Sequence, residues 1–229
     1  MNNPVSQLIT SCTRCGTCCL KGGPVLHDED KEILRIGHIG HEHLVTIRKG
    51  ERAYNPLTGG PEPVHEEIIK VIGKGEGWAC YFYQEKDASC MIYGHRFLEC
   101  RLLKCWDTSE IVGIIGKNTI RRADIINSDD PILDVIKTHD QECPCREVET
   151  LIPMMSSKID KSKSIARLTE LVRRDMNIRD YAVSELGLRK EYELFIFGRP
   201  LFRILSDHGL SVRWAHKDIQ GKQILPGSD

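Results

Sequence analysis

No stretch of the chain approaches the ~20 consecutive apolar residues of a membrane helix, so no helical membrane partner is expected. An excess of one charge is also lacking. Thirty-two Lys and Arg stand against 33 Asp and Glu, so no global field favours nucleic acid or an anionic membrane. The most basic stretch, residues 158–179, carries Asp160, Glu170 and Asp175 among its cations and reads as a solvated helix face. The first fifteen residues lack the basic start and apolar run of a signal peptide, which makes a cytoplasmic chain the expectation. There is no G-x-S-x-G, no Walker loop and no dinucleotide-binding glycine pattern. The stretch Gly73-Lys74-Gly75-Glu76-Gly77 lacks the pattern of a phosphate cradle and reads as a loop before Trp78.

Cysteine is what the chain has in plenty. Ten cysteines in a reducing compartment, where disulfides are rare, point to metal or redox chemistry. Four fall in residues 12–19, four in residues 80–105, and the last two are Cys143 and Cys145. The first group, Cys12-x-x-Cys15-x-x-Cys18-Cys19, is the strongest signal. A C-x-x-C turn brings two sulfurs onto one ion, and a third cysteine at the same interval gives the ligand spacing of bacterial-type ferredoxins. Gly16, with no Cβ, lets backbone N–H groups approach the sulfurs. Side chains of adjacent residues diverge in a turn or strand, so Cys18 with Cys19 favours a polynuclear cluster or two adjacent sites over one tetrahedral ion.

Cys80, Cys90, Cys100 and Cys105 form the second candidate ligand group. Trp78, Tyr81, Phe82, Tyr83, Tyr93, Phe97 and Trp106 surround them in sequence and suit an apolar shell that restricts water at a metal centre. Arg101 is a candidate for neutralising a bound cluster. Cys143, followed by Pro144, has the form of a fourth ferredoxin ligand, whereas the role of Cys145 stays open. His38, His41 and His43 match no zinc-enzyme spacing and read as a histidine-rich surface turn.

The expected architecture is α+β, a small cysteine-rich, metal-bound part over residues 1–107 packed against a mainly helical part over 108–229. In the first part, Asp28 and Asp30 lead a short helix with Ile33, Leu34 and Ile36 on its apolar face. The Pro- and Gly-rich residues 54–63 read as a loop between two short strands, with a third strand over residues 78–83. In the second part, Asp130-Pro131, Pro144 and Pro200 each open a helix, and Gly209 stops the last. Ile165, Leu168, Leu171 and Val172 form an amphipathic stripe, and Asn177 with Asp180 resembles a new capped start.

The motif Cys12-Thr-Arg-Cys15-Gly-Thr-Cys18-Cys19, then Cys80, Cys90-Met-Ile-Tyr93 and Cys100-Arg101, resembles the CxxCxxCC (YkgJ-type) family, catalogued as zinc- or iron-chelating and also described as iron–sulfur proteins. The likeness covers roughly residues 12–107 and implies metal chelation. The family usually has Arg-Pro before the later cysteine, and here Arg96 precedes Phe97. Proline there is a turn device, so its loss leaves the ligands undisturbed. The leading expectation is an iron–sulfur protein that transfers electrons or assists a partner enzyme, with a protein as partner. The alternatives are a zinc-stabilised interaction module and a cluster-dependent enzyme such as a protein methyltransferase or reductase.

Overall fold

The structure is a computed structural model, which describes residues 10–37, 39–75, 77–156, 160–213 and 223–226. His38, Glu76 and Lys158 lie outside the described residues. Short antiparallel strand pairs occupy the N-terminal half and helices the C-terminal half, an α+β fold. The chain forms two compact units. One joins Met1–His43 to Lys70–Ile120, and the other joins Leu44–Ile69 to Arg121–Asp229.

The first unit is built from short elements around Leu26, Ile39, Phe82, Phe97 and Ile120, all buried. Buried Asp30 accepts the backbone N–H groups of His27 (2.9 Å) and Leu98 (2.8 Å), fixing the turn Asp28–Asp30. The helix Lys31–Arg35 follows with Ile33 inward. Ile36 is exposed, which corrects its expected place on the apolar face, because the helix ends before it and Ile39 fills the core instead. His27 Nδ1 sits 2.8 Å from the Lys117 carbonyl, and the Val25 N–H donates to Glu99 at 2.8 Å. Two short strand pairs carry cysteines: Gly73 pairs with Cys80, and Tyr83 with Cys90. The helices Leu98–Leu102 and Ser109–Ile114 complete this unit.

The second unit is helical around a strand. Leu44–Ile47 is buried on every residue and packs on the helix Glu193–Phe197. Residues 54–63 are not a plain loop. Arg52–Asn55 pairs with Gly60–Pro63, since Gly59 at φ +75° supplies the left-handed turn that lets the chain reverse. The helix Ile132–Glu142 is capped by Asp130, whose carboxylate accepts the Ile132 N–H at 2.9 Å. Pro144 precedes the helix Cys145–Met154, and Pro200 the helix Leu201–Asp207, which stops before Gly209 at φ +72°.

Lys161–Ser184 is one continuous helix, so the expected fresh start at Asn177 is corrected. No Gly or Pro interrupts it, and the buried pair Asp175–Arg179 spans the expected break at i, i+4. Its stripe of Leu168, Leu171 and Val172 packs with Val148, Leu201, Ile204 and Leu205. Burying each such side chain is worth about 1.5–3 kcal/mol before ordering costs. The four arginines of this helix are paired rather than merely solvated: Arg167 with Glu147, Arg173 and Arg174 with Glu170, and Arg179 with Asp175.

Candidate metal centre

Residues 12–19 carry four thiols on a bend and one helical turn. Gly16, at φ +75°, precedes the helix Thr17–Leu20 that bears Cys18 and Cys19. On a helix, adjacent side chains leave the axis about 100° apart rather than on opposite faces. The Cys18 and Cys19 sulfurs therefore lie 4.0 Å apart, which corrects the expectation that they diverge. The Arg14 N–H points at the Cys12 sulfur at 3.4 Å, and the Thr17 hydroxyl lies 3.2 Å from the Cys15 sulfur. The Thr17 hydroxyl, and after it the Thr17 backbone, hold the Cys15 thiol below its ordinary range.

The same turn packs on Ala79–Cys80. Tyr83, which pairs with Cys90, lays its ring over Gly16. A Cβ at Gly16 would stand 2.1 Å from the Tyr83 hydroxyl oxygen and 2.5 Å from the ring. Gly16 thus serves both a left-handed backbone and a close ring contact. Gly16→Ala is expected to destabilise the first unit by ~1–3 kcal/mol and to lower metal retention, through strain at positive φ plus displacement of Tyr83. Urea midpoints and metal content of the variant check this, and an unchanged midpoint would remove the contact from the account.

Five thiols from separate stretches of the first unit feel one another's charge. Burial first, and then Cys18, Cys80 and Cys90, push the Cys19 thiol up to about 12. Burial also raises Cys80, with the Phe82 backbone N–H partly offsetting it and Cys90 and Cys18 adding to it. Cys100 is driven above the ordinary thiol range by burial and then by Cys80, Cys19, Glu99 and Cys18. Among the described residues, no three Cys, His, Asp or Glu side chains converge closely enough to hold one ion. The thiols are gathered without being locked into a coordination shell. Their chemistry fits a thiophilic metal: clustered sulfurs, raised first by burial and then by mutual repulsion that a cation relieves, with backbone N–H groups facing Cys12 and Cys80.

The other candidates are placed differently. Cys105 is exposed beside the bridge between Lys104 and Asp107. Arg101 donates to the Arg96 carbonyl at 2.8 Å and lies 3.5 Å from Glu29. Cys143 and Cys145 belong to the second unit and sit inside its apolar cluster, each thiol pushed up to about 12, chiefly by burial. The Cys143 sulfur lies 3.8 Å from the Leu171 carbonyl. Of the seven aromatics expected as a shell, Phe82, Tyr83 and Phe97 are buried, whereas Trp78, Tyr93 and Trp106 are exposed. His43 packs against Tyr81 with the rings tilted by 50° and their centroids 4.7 Å apart.

Two features had no signal in spacing. Arg14 and Arg96 both lie over the Tyr93 ring, at 4.2 and 4.0 Å from its centroid. Phe97, where the resembling family carries proline, has φ −60°, the value proline imposes, and its ring is buried. The turn keeps its backbone and gains a core side chain.

A family model named CxxCxxCC, described as "Putative zinc- or iron-chelating domain", matches residues 11–144. Searches of curated proteins and of solved structures find no match.

Proposed function

The chain belongs to the CxxCxxCC family of zinc- or iron-chelating, cysteine-rich proteins, and from that premise we propose that it carries an iron–sulfur cluster and acts in electron transfer or in support of a partner enzyme. One observation carries this reading: Cys18, Cys19, Cys80, Cys90 and Cys100 share one electrostatic neighbourhood, with Cys12 and Cys15 on the same short segment. That is more thiols than the four a single tetrahedral ion accepts. An iron–sulfur cluster supplies one-electron transfer at a potential set by cluster charge, hydrogen bonds to sulfur and exposure.

The protein's own residues have definite tasks in this reading. Buried Cys80 and half-buried Cys90 and Cys100 would hold the inner side, and the exposed segment with Cys12 and Cys15 the solvent side. The N–H groups of Arg14 and Phe82 would stabilise sulfur charge. Cys19, Cys80 and Cys100 have raised thiols, so metal uptake must release their protons and should strengthen as pH rises.

Zinc is the second reading, and one distance favours it. Bonds of about 2.3 Å place two sulfurs of a tetrahedral zinc site about 3.8 Å apart, close to the 4.0 Å between Cys18 and Cys19. Anaerobic purification followed by metal and acid-labile sulfide assays decides between them. A brown protein with iron and sulfide is expected. A colourless protein with stoichiometric zinc and no sulfide would overturn the iron–sulfur reading.

A further inference from the structure

Arg14 stands between Cys12 and Cys15 in a left-handed backbone conformation, φ +55°, that residues other than glycine adopt uncommonly. In that conformation its backbone N–H points at the Cys12 sulfur, 3.4 Å away. A strained backbone of this kind persists only where surrounding contacts over-determine it.

The contact comes from a distant part of the chain. The Arg14 guanidinium carbon lies 4.2 Å from the centroid of the Tyr93 ring. Among the described residues Arg14 makes no ion pair, so this ring is what fixes its side chain. Tyr93 follows Cys90 by three residues and opens the turn Tyr93–His95.

Arg96 holds the ring in its turn, with its guanidinium carbon 4.0 Å from the same centroid. Arg96 Nε donates to the Tyr93 carbonyl at 3.1 Å, and its Nη1 lies 3.5 Å from the Cys100 carbonyl. The Arg96 carbonyl accepts from Arg101 at 2.8 Å. Two guanidinium groups gathered at one ring repel each other, and the electron-rich ring face offsets this by attracting both. Packing explains little of the arrangement, since Tyr93 is 36% exposed. A single aromatic ring thus connects the segments that carry Cys12 and Cys15, Cys90, and Cys100.

We propose that Tyr93 is a positioning residue for metal binding that acts through Arg14. The ring clamps the Arg14 side chain, which keeps the Arg14 backbone left-handed and its N–H aimed at the Cys12 sulfur. N–H donors of this kind stabilise thiolate charge and orient the ligand, so the clamp slows loss of metal from the motif segment. The inference rests on chelation at this centre and not on which metal it holds.

The test follows release of the resident metal, iron or zinc, into excess EDTA from the full-length protein, purified and kept anaerobic. Tyr93→Leu keeps an apolar side chain but removes the ring, and is expected to speed release about tenfold or more. Tyr93→Phe keeps the ring and should stay within about threefold of wild type. Arg14→Gln should also speed release, and Arg14→Gln with Tyr93→Leu should be no faster than Tyr93→Leu alone, because both remove one contact.

Hydrogen exchange separates the clamp from a general loosening of the first unit. In Tyr93→Leu, exchange should rise over residues 12–19 and 90–96, while residues 24–36 and 108–120 keep wild-type protection. An equal rise over all four stretches would assign Tyr93 a purely structural role and overturn the proposal. So would wild-type release from Tyr93→Leu, or release from Tyr93→Phe as fast as from Tyr93→Leu. Zinc without sulfide in the purified protein would refute the iron–sulfur reading and leave this comparison of rates intact.

Discussion

Cys80→Ser is expected to abolish most metal binding and to leave the first unit largely unfolded at 25 °C. Cys80 is buried, sits opposite Gly73 in a strand pair, and is in electrostatic contact with Cys18 and Cys90. Serine nearly preserves its volume, so the loss reports the thiolate rather than packing. A structural thiolate site can supply ~10–16 kcal/mol of apparent binding free energy, against ~5–15 kcal/mol for the whole stability of a domain. The first unit has short elements and strands of only two residues, so its own pairing contributes little. Metal stoichiometry together with hydrogen exchange over residues 70–120 measures the effect. Full metal loading with unchanged protection would remove Cys80 from the ligand set. Cys143→Ala is the companion measurement: retained metal assigns Cys143 to the core, and lost metal adds it to the shell.

Asp175→Ala is expected to cost the second unit about 3–5 kcal/mol, because it strands a buried charge. The Asp175 carboxylate is fully buried and accepts from His139 Nε2 (2.7 Å), Arg179 Nε (3.0 Å) and the Leu201 N–H (2.9 Å). Arg48 donates to His139 Nδ1, which leaves Nε2 to carry the proton towards Asp175. Without the carboxylate, Arg179 keeps only the Phe197 and Gly198 carbonyls. A fall in melting temperature of about 6–20 °C corresponds to that cost.

The effect must depend on pH in a definite direction. Burial opposes ionisation of Asp175, but Arg179, His139 and Arg48 outweigh it and hold the carboxyl well below its usual range. A depressed folded value means that the stabilisation is complete above the unfolded value of ~3.9 and drains away as pH falls below it. Urea midpoints of wild type and variant should therefore differ most near neutrality and converge below about pH 4. A gap that stays constant into acid would show that the carboxylate contributes by shape alone.

These two sites differ in how visible they were from residue order. The thiols of residues 12–19 announce themselves, because ligand spacing is local and sulfur chemistry does not depend on the rest of the fold. Asp175, His139 and Arg179 give no such sign. His139 and Asp175 lie 36 residues apart, and each would pass for a surface residue until helix packing buries them together. Arg48 is 91 residues from His139, and the two side chains meet only in the folded chain.

Order along the chain by itself determined where helices open and stop, since Pro131, Pro144, Pro200 and Gly209 act through their own backbone geometry. It also carried the cysteine motif of a zinc- or iron-chelating family. It did not determine that residues 54–63 pair as strands or that the long helix runs through Asn177, because pairing partners and a buried i, i+4 ion pair override local turn signals. Only the tertiary structure brought Cys18, Cys19, Cys80, Cys90 and Cys100 into one field and placed Cys143 and Cys145 in the other unit's apolar core. The reason is physical. A ligand's chemistry resides in its side chain, but which ligands meet depends on loop closure and burial, quantities that belong to the folded chain as a whole.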